Sequence, residues 1–383
     1  MTLQNWIMIS FCLILCLVQA ASLFVAWWRL RHRVARRSSD TPLPFIALVR
    51  PLCGKDAFEE ETLRSSFLQN YPAYEILFCV ASPYDPVIPL VKKVMADYPA
   101  QPARLLTGED RISKNPKINN LNKAWQQTCS DWIVMADSNL LLPSHYLRTL
   151  VNSFDDQTGL VSSPAVGIRP LNLWGAVEAA MLNTHQARWQ LLADFAHKGF
   201  AQGKTLFWRR DVLEQGGGLA ALGHELAEDV ASTRLVRRAG LKVRLPPQPF
   251  PQPIGHRPLC AVWSRQLRWA RIRRDGFVWL FLPEIFLGIL PALGASVYLA
   301  ARDVWSWEIP PALFVFWYGA EGLLAKSAGW PHRPRDLVAM VIRDVLLPAL
   351  WLWCWTARGF VWRGNASGLQ RPVADVVVRQ QEE

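Results

Sequence analysis

Trp132-Ile133-Val134-Met135-Ala136-Asp137-Ser138-Asn139 is the stretch on which the reading of the chain turns. Its apolar run is too short for a helix and suits a strand buried on both faces, and a carboxylate with two small polar residues ends it. A similar run, Glu75 to Ala81, precedes Asp85. Open α/β sheets bind ligands beyond the carboxyl ends of their strands, so acidic groups placed there can meet in one crevice. A third acidic position, Asp229, lies in Glu225-Leu226-Ala227-Glu228-Asp229-Val230. It follows a glycine-rich approach, Gly216-Gly217-Gly218, and precedes a helix-like run, Ala231 to Ala239.

Working outward, Phe45 to Val49, Tyr74 to Ala81, Arg104 to Thr107 and Asp131 to Ala136 read as short strands. Glu59 to Leu68, Pro89 to Tyr98 and Asn119 to Thr128 have helical spacing. Strands alternating with helices predict a mostly parallel, doubly wound sheet over residues 45–256.

Both ends of the chain are different in kind. Trp6 to Trp28 is almost uninterrupted apolar sequence, and at about 1.5 Å per residue it can cross a hydrocarbon core of roughly 30 Å. Residues 1–28 are therefore expected to form an uncleaved transmembrane anchor. The basic linker 29–44 carries Arg29, Arg31, Arg33, Arg36 and Arg37, which places the following domain in the cytosol and the N-terminus outside. Past the basic, amphipathic segment 257–276, residues 277–357 become apolar again in Phe277 to Ala301, Ile309 to Leu324 and Leu337 to Ala357. The last of these contains Arg343, Asp344 and Pro348, so its ionisable groups are expected to face protein or water, and a re-entrant course is open to it. A polar tail, 358–383, ends the chain.

The 383 residues carry 42 basic and 31 acidic side chains, a net charge of +11. That balance calls for an acidic partner. The arginines flank apolar segments, which favours an anionic membrane surface, and no nucleic-acid-binding signature is present. The seven cysteines are scattered with no C-x-x-C pair, so neither a zinc site nor a disulfide framework is expected.

Transfer of a sugar from a nucleotide requires neutralising a diphosphate, deprotonating an acceptor hydroxyl and gripping the nucleotide. Asp137, with Asn139 beside it, is placed to present a divalent cation, Mg2+ or Mn2+, to phosphate oxygens. Asp85 is placed to bond a base or ribose. Asp229 is the candidate general base, with Glu228 raising its pKa by like-charge repulsion. Arg268 and Trp269 can close over a diphosphate, and Lys114, Lys117 and Lys123 add positive charge. Each position alone has a plainer reading: a strand-ending turn at Asp137, a turn before proline at Asp85, an acidic helix start at Asp229.

As an ordered set these residues resemble the ceramide glucosyltransferase family of inverting, membrane-bound enzymes with a glycosyltransferase-A fold. That family shows three aspartates and then (Gln/Arg)-x-x-Arg-Trp, matched here by Asp85, Asp137, Asp229 and Arg265-x-x-Arg268-Trp269. Asn115-Pro116-Lys117-Ile118-Asn119-Asn120-Leu121 and Gly159-Leu160-Val161 are similar too. The resemblance implies a UDP-sugar donor, most simply UDP-glucose, and a ceramide-like membrane lipid as acceptor. It implies Asp229 as catalytic base, and Asp85, Asp137, Lys117, Arg265, Arg268 and Trp269 at the nucleotide-sugar. Asp137 would act through the metal, and His185 of Thr184-His185 would bind the acceptor. Two departures stand out: Asp-Ser-Asn lacks a second carboxylate two residues on, and Pro-Tyr-Asp-Pro lacks a doubled acid. Related layouts modify hopanoids or diacylglycerol, and a processive polysaccharide synthase or a non-catalytic scaffold are the remaining readings. The host membrane expected from the arginine-rich composition is a bacterial inner membrane.

Overall fold

A computed structural model describes residues 1–31, 42–225 and 227–356, together with the backbone of Phe360–Trp362 and Asn365–Ser367. Arg33, Arg36, Arg37 and most of the tail lie outside the described residues.

Nine strands build the central domain: β1 (Ile46–Leu52), β2 (Tyr74–Val80), β3 (Ala103–Thr107), β4 (Trp132–Ala136), β5 (Thr158–Ser162), β6 (Ala165–Pro170), β7 (Thr205–Arg209), β8 (Lys242–Arg244) and β9 (Phe250–Gly255). Seven of them form one sheet in the order β3-β2-β1-β4-β7-β5-β8. Side chains alternate across it. Ile46, Leu48, Ile76, Phe78 and Val134 enter one core, while Ala47, Val49, Leu77, Cys79, Ile133 and Met135 enter the other. Burial on both faces explains why these strands read as continuous apolar runs.

The first four strands are parallel and follow the expected pattern. β7 breaks it, running antiparallel between β4 and β5. Its apolar part is only Leu206-Phe207-Trp208 between basic residues, and its place comes from pairing with β4, which no local pattern encodes.

β6 and β9 pair in a second, parallel ribbon. Beside it the chain runs through a helix, Leu173–Ala180, a π-helical segment, Met181–Ala187, and a further helix, Arg188–Phe195. The Asn183 amide clamps this segment to β6, accepting from the Gly167 N–H at 2.6 Å and donating to the Gly167 carbonyl at 3.0 Å. A Cβ on Gly167 would lie 2.8 Å from the Ala179 Cα, so only glycine permits the approach.

Among the described residues two helices are long and apolar enough to cross a membrane, Leu3–Arg31 and Pro334–Thr356. The apolar segment Phe277 to Ala301 is bent by 46° between Val278–Phe286 and Ile289–Ala301, a pair that together passes the same test of length and composition. Pro283 and Gly288 interrupt it, and the Asp344 carboxylate caps the restart, accepting from the Ile289 N–H at 3.1 Å. Pro334–Trp353 is one continuous helix despite Pro348.

The ionisable residues of this helix face protein, as expected. Arg343 pairs with Glu321 at 2.9 Å and Asp344 at 2.8 Å, and also donates to the Thr184 hydroxyl in the π-helical segment. Glu321 further meets Arg188 at 3.4 Å and accepts from the Gln19 amide at 3.0 Å. Arg188 in turn donates to Gln19 at 2.6 Å. One polar network thus joins the amino-terminal helix, two carboxyl-terminal helices and the central domain. Arg29 adds a latch, 2.6 Å from Asp194.

Removing one partner of a buried ion pair strands the other's charge, at a cost of about 3–5 kcal/mol. Arg343→Met is expected to lower the thermal unfolding midpoint of the detergent-solubilised protein, and adding Glu321→Gln to recover part of the loss.

Candidate active site

The helix Pro116–Gln127 begins with an Asn-Pro-Lys start. Asn115 caps it, its side chain accepting from the Lys117 N–H at 2.9 Å, and Pro116 occupies the first turn, where its missing N–H costs nothing. Lys117 is thereby fixed, and its ammonium places all three protons on protein. It donates to Asp137 Oδ1, Glu228 Oε1 and the Gly203 carbonyl, each at 2.7 Å. Glu228 also accepts from the Asn115 amide at 3.2 Å.

Asp137 stands just beyond β4, and its N–H donates to the Lys204 carbonyl at 3.0 Å, extending the β4–β7 ladder. The Lys204 ammonium reaches Asp137 Oδ2 at 3.1 Å and the Asn139 side-chain oxygen at 3.0 Å. Burial alone would raise the Asp137 pKa, but Lys117 and Lys204 outweigh it and hold the group at about 2. Behind this loop lies Arg50 on β1, fully buried. It donates to the carbonyls of Ser138 at 2.8 Å and Leu140 at 3.1 Å and to the Ser66 hydroxyl at 3.0 Å. Burial lowers its pKa to about 10, so it stays charged.

Asp229 follows Glu228 in the first turn of the helix Glu228–Arg238, where its Oδ1 accepts from the Val230 N–H at 2.8 Å. Burial, then repulsion from Glu228, pushes its carboxyl up to about 7. The structure therefore brings Lys117, Asp137 and the Glu228-Asp229 pair into one cluster.

The other expected residues take separate places. Asp85 lies past β2 and accepts from the Gly54 N–H at 2.9 and 3.0 Å and the Val87 N–H at 2.9 Å, tying the loops that follow β1 and β2. Arg265, on the helix Leu259–Gly276, pairs with the buried Glu178, which also meets Arg257 at 3.6 Å. Its charge still reaches the cluster and helps lower the Lys204 pKa, after burial. Trp269 packs on Ala179, Leu182 and Ile254, and Arg268 sits partly buried beside it. The basic helix is less free than its sequence suggests, because Arg273 also pairs with Glu284 at 2.9 Å and Arg274 with Asp275 at 2.7 Å.

His185 is buried in the π-helical segment. Burial, then the Arg343, Arg188 and Arg273 charges, hold its pKa well below the usual value, so the ring is neutral. It lines a small cleft with Gln186 and Gln266 on the polar side and Phe281, Leu350 and Trp351 on the apolar side.

Sequence reasoning missed Lys204, Arg50 and Glu178. Lys204 and Arg50 had a faint signal, a basic residue at the end of an apolar run. Glu178 had none.

The fit to a divalent cation can be tested on these contacts. Asp137 offers one carboxylate with both oxygens already on ammonium groups, and Asn139 gives its oxygen to Lys204. Among the described residues no group of three His, Cys, Asp or Glu side chains converges on a metal position. The arrangement does not fit a resident divalent cation.

The profile of glycosyl transferase family 21 matches residues 11–372. Ceramide glucosyltransferase 3 of Caenorhabditis elegans is 25% identical over 369 residues, spanning 93% of this chain and 79% of that protein. Ceramide glucosyltransferase 1 of the same organism is 26% identical over 300 residues, or 76% of this chain and 63% of its own length. Ceramide glucosyltransferase of Candida albicans is 38% identical over 122 residues, 29% of this chain and 22% of that protein. Among solved structures, the mannosyltransferase PcManGT from Pyrobaculum calidifontis, in complex with GDP-Man and Mn2+, superposes with a TM-score of 0.52. It is 17% identical and covers 88% of this chain and 99% of its own. That likeness carries the fold, a glycosyltransferase-A domain.

A carboxyl raised in the folded state binds a proton that the unfolded chain has released, so folding stability falls as pH rises from near 4 to about 7. Each pKa unit corresponds to about 1.4 kcal/mol. Asp229→Asn is expected to flatten that slope, raising the unfolding midpoint at pH 8 relative to wild type while leaving it nearly unchanged at pH 4.

Proposed function

The chain belongs to glycosyl transferase family 21, and from that membership we propose that it moves one sugar, glucose from UDP-glucose in the first instance, onto the primary hydroxyl of a membrane lipid of the ceramide class. The transfer inverts the anomeric carbon. The ceramide glucosyltransferase names of its relatives support the acceptor class. The observation that carries the reading is the Asp137–Lys117–Glu228 bridge, which sets a carboxyl with a pKa of about 7 at the carboxyl end of β4.

In this reading Asp229 accepts the proton of the acceptor hydroxyl as its oxygen attacks the anomeric carbon. The bond from that carbon to the diphosphate breaks, and its electrons leave with UDP. A base poised near the working pH combines adequate ionisation with adequate proton affinity. Glu228 raises Asp229, and Lys117 keeps Glu228 itself compensated. Asp85 contributes to nucleoside binding where the loops after β1 and β2 meet, and Arg268 with Trp269 closes over the diphosphate. Arg265, held on Glu178, orients that helix.

The acceptor enters through the cleft at His185. Its apolar wall, with Phe281, Leu350 and Trp351, suits lipid chains, and its polar wall suits a hydroxylated head. The His185 Nδ1 is buried without a hydrogen-bond partner among the described residues, so a hydroxyl can satisfy it. The arginines after the amino-terminal helix support a catalytic domain on the cytosolic side, against an anionic leaflet.

Membranes supplied with labelled UDP-glucose and ceramide are expected to yield a lipid with one glucose of opposite anomeric configuration to the donor. Asp229→Asn should lower kcat by about 10²–10⁴-fold, the usual worth of a general base, while UDP affinity is kept. The rate should rise with pH through a limb near 7, and Glu228→Gln should move that limb to lower pH. An unaltered rate in Asp229→Asn would remove the base assignment.

A further inference from the structure

Resting on a UDP-sugar donor, we propose that Lys204 is a diphosphate-binding cation and that it neutralises the leaving group in the position on Asp137 where a divalent cation would otherwise sit. Four observations converge on this residue. The backbone bond from the Asp137 N–H to the Lys204 carbonyl, 3.0 Å, locks the two residues side by side at the junction of β4 and β7. The Lys204 ammonium then occupies Asp137 Oδ2 at 3.1 Å, while Lys117 occupies Oδ1 at 2.7 Å. No oxygen of the only carboxylate in that loop is left without a cation.

Two residues on in the loop stands Asn139, whose amide oxygen accepts from Lys204 at 3.0 Å. An amide suits an ammonium and adds no charge for a metal. The third observation is a difference between the two lysines. Lys117 has three protein acceptors, so it positions carboxylates. Among the described residues Lys204 has two, Asp137 and Asn139, which leaves its third proton for an anion. Its side chain is 13% exposed, so it is within reach of a ligand.

Charge is the fourth. Two ammonium groups face the Asp137 and Glu228 carboxylates, and Arg265 adds positive potential at Lys204. A divalent cation arriving at Asp137 meets two cations already on the same carboxylate. A diphosphate brings the anionic oxygens that this arrangement lacks, and a lysine acts on phosphate as a compact point charge. Lys204 moves no proton and makes no covalent bond in this role. It stabilises charge as the diphosphate departs.

The test is calorimetric titration of UDP into the full-length protein in nanodiscs, with EDTA and then with Mn2+. Wild type is expected to bind UDP in EDTA within about threefold of its affinity in Mn2+, and Lys204→Met to lose roughly tenfold or more in EDTA, where tenfold is about 1.4 kcal/mol. Lys204→Arg should keep most of the affinity, and Mn2+ should restore part of the Lys204→Met loss by taking the vacated side of Asp137. Wild-type binding that requires Mn2+ would overturn the inference and leave the UDP-sugar reading standing. So would Lys204→Met binding UDP as wild type does in EDTA. Absence of UDP binding under both conditions would overturn the donor reading and the inference with it. The wild-type comparison decides even if Lys204→Met fails to fold.

Discussion

A single ammonium group, that of Lys117, holds the site together. Three residues far apart in the chain, Asp137, Gly203 and Glu228, each take one of its protons at 2.7 Å. Burial works against its charge, but Asp137 and Glu228 outweigh burial and raise its pKa, so it stays protonated. Without it, two partly buried carboxylates would face each other beside a third, an arrangement that proteins avoid by protonation or by opening. Asp229, next to Glu228, is pushed up to about 7 by burial and then by the Glu228 charge. One lysine thus ties Asp137 to the residue that stands beside the poised Asp229.

That placement depends in turn on ordinary local structure. Asn115 and Pro116 fix the helix start that aims Lys117, and Arg50 holds the loop carrying Asp137 from behind. Arg50 is buried and charged at a position where an aliphatic residue would suit the core better. Its three donated bonds to Ser66, Ser138 and Leu140 give the loop a shape that a shorter or apolar side chain would not maintain.

The parallel half of the sheet could be read from the sequence because strands buried on both faces write themselves as apolar runs with polar ends. Asp137 and Asp229 could be singled out for the same reason, since each ends or begins an element. β7 could not, because three apolar residues between basic ones acquire their meaning only when paired with β4. Lys204 was hidden with it. The engagement of Arg265 by Glu178 escaped notice because Glu178 lies in an unremarkable helical run, Leu173 to Ala180, and its burial is a tertiary fact. Among the carboxyl-terminal apolar helices, Arg343 and Asp344 announced a polar surround, but their partners Glu321, Thr184 and Tyr318 are set by packing. The break in the Phe277 to Ala301 run likewise needed Asp344 to cap its second half.

The π-helical segment carrying His185 is stitched on one side to β6 through Asn183 and on the other to the apolar helices through Thr184 and Arg343. Such a wide turn is an irregularity that proteins retain where something must be held. Fastened at both edges, it cannot slide toward an incoming molecule. In the acceptor reading proposed above, height then becomes a selector: a lipid would be sorted by how far its hydroxyl stands above its tails, and a head group of the right chemistry at the wrong elevation would be passed over.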